Sequence, residues 1–268
     1  DAVGRGNSGE PAHVESPDFD TTYGARSAVA YLRSLPHVRS DSIGLAGHSL
    51  GAEMAYEVAL DDPGIAALLI SGFAYTDKAS FDRPRNMLMI IGKWDEFRDR
   101  MTGVDDIEAE WMSTAQTKSA IDHPAPEVGS TYGDFADGTA RRVIIPPVIH
   151  VMESHSRYAI GEALEWMRSS LEPDVDYWKP TDNQIWHLKE WMTLVAMLAC
   201  FASLDPHSDK LGGSFAIEDN FGCQVFAYDR QSFYKFPVGG CIGFYGSIFC
   251  RTIGHDDDPI VGAVISIN

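Results

Sequence analysis

"IGLAGHSLGAEMAYEVAL", residues 43–60, runs from a short apolar stretch through Gly-His-Ser-Leu-Gly straight into a helical pattern. The run "SIGLA" (42–46) is short and continuously apolar, as a strand buried on both faces of a parallel sheet must be. After the turn, Ala52, Ala55, Val58 and Ala59 recur at helical spacing until "DDPG" (61–64) stops the run. Strand, tight turn and helix in direct succession put Ser49 on a strained corner, its hydroxyl exposed and a helix N-terminus behind it. Gly47 and Gly51 suit that corner because a side chain at either point would collide with the neighbouring strand or helix. The competing reading is a structural Gly-Ser turn. Gly-x-Ser-x-Gly fixes only three positions, so the flanking strand and helix, more than the motif, carry the assignment.

The same pattern repeats on both sides. "DTTYGARSAVAYLRSL" (20–35) places Ala25, Ala28, Leu32 and Leu35 on one helical face, and Pro36 ends it. "IAALLI" (65–70), "NMLMII" (86–91) and "RVIIP" (142–146) read as further buried strands. Ile160, Ala163, Leu164, Met167 and Leu171 define a last helix that Ser156 is placed to cap. Strands that alternate with helices and are apolar throughout imply an α/β architecture, a mainly parallel sheet flanked by helices.

At 268 residues and 44% hydrophobic content, the chain has room for one large domain or a domain with an appendage. A formal charge of -18 and an isoelectric point near 4.7 exclude a phosphate-backbone footprint, so no nucleic-acid partner is expected. Cys200, Cys223, Cys241 and Cys250 all lie in the last third, which fits a disulfide-free core or a reducing compartment. No signal peptide is visible, and the expected location is cytoplasmic or membrane-associated. No His/Cys/Asp cluster has metal-ligand spacing; neither metal nor cofactor is expected.

Residues 43–60 resemble the nucleophile elbow of the α/β-hydrolase superfamily, in particular esterase- and lipase-like serine hydrolases. That family carries its triad in the order Ser, acid, His, the acid after a later strand and the His after the last. "NMLMIIGKWDEF" (86–97) supplies a strand, a glycine and then Asp95; "RVIIPPVIHVMESHSRYAIGEALEWM" (142–167) supplies a strand, a loop with His150 and the closing helix. The resemblance therefore implies Ser49 as nucleophile, His150 as general acid/base, Asp95 as its orienting acid and the Leu50 N–H as half of an oxyanion hole. Glu96 and Asp99 compete with Asp95, and His155 with His150; placement favours the first of each set. His48 is read as a neighbour packing under the site and His123 as a surface-loop residue. The expected substrate is a small-molecule carboxylic ester or related acyl compound, with thioesters and amides open to the same triad.

The opening "DAVGRGNSGE" (1–10) resembles the loop after the family's fourth strand, which implies that three strands precede residue 1 and that the catalytic core is partial. In the family's strand order the third strand lies beside "SIGLA", so without it that strand is expected to expose an apolar edge in need of cover. Only 15 residues separate "IAALLI" from "NMLMII", too few for a helical cap. The core is expected to span residues 1–172, a Pro- and Asp-rich linker 173–184, an apolar helix 185–204 and a segment of unassigned role 205–268. The uncharged run Trp191–Leu204 has 14 residues against the roughly 20 that a bilayer span needs, which favours a buried helix, with a membrane surface as the alternative partner. "TYGDFADGTARR" (131–142) also resembles hydrolases that continue into membrane helices. Two function classes follow: a serine hydrolase, or a non-catalytic or membrane-associated module that retains the fold.

Overall fold

A computed structural model describes residues 3, 4, 8–171, 180–203, 249–252 and 263–267. Helix α1 (Ala25–Ser34) leads into strand β1 (Ile43–His48), helix α2 (Leu50–Asp61) and strands β2 (Ile65–Ser71) and β3 (Met87–Ile90). Short helices α3 (Arg98–Thr102), α4 (Ile107–Glu110) and α5 (Ala115–Ile121) precede strand β4 (Arg141–Ile144). A 3-10 turn (His150–His155) then opens helix α6 (Arg157–Leu171). Helix α7 (Trp186–Ser203) and strands β5 (Phe249–Thr252) and β6 (Ala263–Ile267) complete the described elements.

Strands β1 to β4 are parallel neighbours in the order β4-β3-β2-β1. Continuous apolarity in β3 resolves into two faces. Met87 and Met89 join the core that α1 and α2 cover, while Leu88 and Ile90 join the core that α6 covers through Trp166, Met167 and Leu171. Period-2 alternation is thus hidden in the sequence because both faces are apolar. Gly44 lets α6 come close: a Cβ there would stand 3.0 Å from Met167 Sδ and 3.4 Å from a Leu171 methyl. Each fully buried aliphatic side chain of this kind contributes about 1.5–3 kcal/mol.

The apolar edge of β1 is covered, from further along the chain: β6 pairs parallel to it from Ile43–Ala263 to Gly47–Ile267, and β5 pairs antiparallel to β6. Most of the expected linker and of the segment 205–268 lies outside the described residues. The buried face of α6 is Ala159, Trp166, Met167 and Leu171, with Leu164 exposed. That face is rotated from the expected stripe because the indole of Trp166 reaches the core and donates to the Asn86 carbonyl at 2.8 Å.

The chain divides into two compact units, Asp1–Asp182 with Tyr245–Asn268, and Asn183–Phe244. In the second unit α7 corrects the expectation of a buried helix: Trp191, Met192 and Val195 are each more than 60% exposed. Its apolarity runs all round, so no stripe in the sequence defined an inner face. Among the described residues no helix is long and apolar enough to cross a membrane.

Candidate active site

The C-terminal ends of β1, β2 and β3 converge where open α/β sheets bind ligands. Ser49 follows β1 with φ 55° and ψ -121°, a conformation that L-residues rarely hold. Its own N–H donates to the Ser71 carbonyl at 2.8 Å, and its carbonyl accepts from Ala52 and Glu53 in the first turn of α2. Gly47 is obligatory here: a Cβ would lie 2.2 Å from the Gly51 carbonyl oxygen, so the collision expected at Gly47 is with α2 itself. Gly51 is buried in that turn. Leu50 is the first residue of α2, where a backbone N–H has no acceptor within the helix.

Asp95 and His150, 55 residues apart, meet with His150 Nδ1 2.8 Å from Asp95 Oδ2. An ionised Asp is acceptor-only, so Nδ1 carries the proton and Nε2 is left as the acceptor. Asp95 Oδ1 accepts from the Phe97 N–H at 2.7 Å, and both Asp95 and His150 are buried. Burial works against the Asp95 charge, but the hydrogen bonds from His150 and Phe97 outweigh it and hold the carboxyl below the ordinary aspartate range. Of the competing acids, Glu96 accepts from the backbone N–H of His150 at 3.0 Å rather than from its ring, and Asp99 is exposed beside Arg98. The Phe97 ring stands edge-on to the His150 ring, centroids 5.0 Å apart.

His48 packs against His150 with ring centroids 4.6 Å apart and pairs through Nε2 with the His150 carbonyl at 3.0 Å. Burial, reinforced by the neighbouring His150, pushes its pKa down, which keeps it neutral. His155 takes the end of the 3-10 turn, where Ser156 Oγ accepts from the Ala159 N–H as a helix cap. His123 packs on Tyr132, which bridges to Arg141 at the start of β4, the end of the strand opposite to Ser49. Ser49 Oγ makes no hydrogen bond among the described residues, so the structure joins acid to imidazole but does not close the contact to the serine. Catalytic hydrogen bonds of this type often tighten only with substrate bound.

Sequence reasoning missed Glu153. It is 1% exposed, and its Oε1 accepts from the Gly92 N–H at 2.5 Å while Oε2 accepts from Ser71 Oγ at 2.8 Å. Burial pushes this carboxyl well above the ordinary glutamate range, and the adjoining Asp95 adds to the rise. In the sequence it is one acid in "HVMESH", three residues after His150, and its only signal was the pair of strand-end glycines that make room for it. A Cβ on Gly72 (φ +60°) would stand 2.5 Å from His150 Cε1 and 2.9 Å from Glu153 Oε2, and one on Gly92 2.3 Å from the Val148 carbonyl. His48, His150 and Glu153 bring ligand-type atoms within 4.8 Å of one another, a grouping made by tertiary contact and not by motif spacing. Several of its atoms are already engaged among the described residues, Nδ1 of His150 with Asp95, Nε2 of His48 with a carbonyl and the carboxyl with Gly92 and Ser71, while Nε2 of His150 is not.

A parallel sheet flanked by helices, with a serine on a strained strand-to-helix corner, is an α/β-hydrolase-like arrangement. Residues 25–121, from α1 through α5, match the family described as BAAT / Acyl-CoA thioester hydrolase C terminal, a match that includes Ser49 and Asp95 and stops before His150. Among solved structures the chain is similar to the glucuronoyl esterase from Solibacter usitatus, with 13% identity and a TM-score of 0.39 over 60% of this chain. This chain spans about half (52%) of that protein's length. No curated protein matches the chain.

Proposed function

We propose that the protein is a serine hydrolase that cleaves a carboxylic ester or thioester through an acyl-enzyme, with Ser49 as nucleophile, His150 as general acid/base and Asp95 as orienting acid. The observation that carries this reading is the buried 2.8 Å contact between His150 and Asp95 at the sheet end that also presents Ser49. The family match over residues 25–121 supports ester or thioester hydrolysis as the reaction class.

In this reading Ser49 Oγ attacks the substrate carbonyl carbon while its proton passes to His150 Nε2. The imidazolium that forms is stabilised by Asp95, and the Leu50 N–H donates to the new oxyanion. Collapse of the tetrahedral intermediate breaks the bond to the alcohol or thiol, which takes the proton from His150. Water, deprotonated by the same imidazole, then hydrolyses the acyl-serine and restores the hydroxyl. Leu50, Phe97 and Ile149 are each more than 40% exposed; Leu50 and Ile149 adjoin Ser49 and His150 in the chain, and Phe97 lies two residues after Asp95. Such an apolar border favours an acyl or alcohol group that is itself apolar.

Labelling with a fluorophosphonate probe, followed by mass spectrometry of the modified peptide, tests this directly. Modification of Ser49 that both Ser49→Ala and His150→Ala abolish is the expected result, with turnover of a neutral ester and thioester series then assigning the substrate. The second reading, a fold retained without catalysis, draws on the unbonded Ser49 hydroxyl; a folded chain that the probe never labels would decide for it.

A further inference from the structure

We propose that Glu153 is a positioning residue of this site: a neutral carboxylic acid that donates its proton to the Asp95 carboxylate and thereby fixes the acceptor that orients His150. The proposal rests on the hydrolase reading above for its consequence, but the place of the proton rests on burial and on the neutral groups that surround Glu153, not on activity. Asp95 and Glu153 are both buried and in mutual hydrogen-bonding contact, and two carboxylates so placed cannot both be ionised. Asp95 keeps the charge because it accepts from the His150 ring and the Phe97 N–H. Glu153 therefore carries the shared proton, and a protonated carboxyl retains acceptor capacity for the Gly92 N–H and the Ser71 hydroxyl.

The groups that face Glu153 agree with this assignment. From β1 comes His48, whose Nε2 is 3.6 Å from Glu153 Oε2 but is turned to the His150 carbonyl. From the end of β2 comes the Ser71 hydroxyl and from the residue after it the Gly72 backbone; from the loop after β3, the Gly92 N–H and Asp95; from its own turn, His150. Among the described residues no Lys or Arg forms an ion pair with it. Glu153 thus ties the ends of β2 and β3 to the turn that carries His150, and its remaining proton has one charged acceptor, Asp95. During turnover that bond keeps Asp95 from rotating toward the imidazolium, so the ring stays aimed at Ser49.

The test uses the full chain with Glu153→Gln and Glu153→Leu, two readouts and circular dichroism to confirm folding. Infrared spectroscopy at neutral pH is expected to show a protonated-carboxyl stretch that Glu153→Gln removes; its absence from the unmutated chain overturns the proposal whether or not the protein is an enzyme. Gln preserves a neutral donor, so the fluorophosphonate labelling rate of Ser49 should stay within about threefold, with the acid limb of its pH profile unmoved. Leu leaves Asp95 unheld and should slow labelling about 10- to 100-fold. A shift of the acid limb to lower pH in the Gln variant would mean that a negative charge had been removed beside His150, and labelling of the Leu variant at the unmutated rate would mean that Asp95 needs no such support; either refutes the role. If the unmutated chain is never labelled, the hydrolase reading fails, while the infrared band still decides where the proton resides.

Discussion

The two ends of the parallel sheet each hold a buried polar network, and they are built from different acceptors. At the N-terminal end Asn86 (φ 42°) donates through Nδ2 to the carbonyls of Ala66 and Phe135 and accepts from the Ala140 N–H. Beside it Arg141, 1% exposed, gives its guanidinium to the carbonyls of Ala120, Ala140, Ser80 and Phe81 at 2.8–3.1 Å. Burial holds this group down to about 10, which still leaves it fully charged at neutral pH. The C-terminal end instead gathers Asp95, Glu153, His48 and His150, whose partners are largely one another. Backbone carbonyls cannot change charge, so the first network only holds the sheet together. Titratable acceptors can, and the second network is therefore able to move protons at the cost of depending on pH.

The sharpest way to break this contrast is at the serine and its acid. Ser49→Ala should abolish labelling, and Asp95→Asn should lower the rate by about 10^3- to 10^4-fold, since the wrong tautomer of His150 is then favoured. Thermal melts of these variants should stay close to the parent, because Ser49 is only half-buried and Asn is isosteric with Asp. Equal loss of activity and fold would erase the distinction.

Next in size, Arg141→Leu takes a donor from four carbonyls, of which Ala140 and Ser80 keep a second, backbone donor, and should destabilise the chain by about 3–5 kcal/mol in urea melts, with the labelling rate of the molecules that remain folded unchanged. Asn86→Ala should cost less, about 2 kcal/mol, for three broken hydrogen bonds and an unfavourable φ. A labelling rate that falls with either substitution would show that the two ends are coupled.

The smallest effect is the most specific. Glu153 binds its proton more tightly in the folded chain than in the unfolded one, so unfolding releases a proton once the pH exceeds the ordinary glutamate value of about 4.3. Its contribution to stability is therefore fully present below that pH and is lost as pH rises through the window up to the raised folded value, at a limiting slope of about 1.4 kcal/mol per pH unit. Glu153→Gln should flatten that slope in urea melts run above the ordinary glutamate value. Asn86→Ala should leave the slope as it is, because nothing at that hydrogen-bond hub titrates there.

How far the sequence could be read varied with the range of the interaction. Strands at 43–48, 65–71 and 87–90 were legible because burial on both faces makes each a short, mostly apolar run between turn residues, while the strand at 141–144 was legible only from its apolar end, Val143 and Ile144. Ser49 was legible because the elbow is local: Gly47, whose Cβ would strike the Gly51 carbonyl, is only four residues from its obstacle. Asp95 and His150 were reached through the family's strand order, and their contact across 55 residues is a property of the folded sheet. Helix α7 was misread as buried, since an apolar run without periodicity does not say what lies against it.

Local chemistry, then, was settled by the sequence itself: which runs become strands, which glycines a backbone needs, and which serine stands at a strand-to-helix corner. Everything that required two distant segments to share a volume was left to the tertiary structure. The cover on the free edge of β1 comes from residues 263–267, more than 200 positions away by number. Glu153 resembles any other acid in a polar turn until the ends of β2 and β3 close over it. The physical reason is that periodicity and turn preference act within a few residues, whereas desolvation and the sharing of a proton depend on what the fold brings into contact.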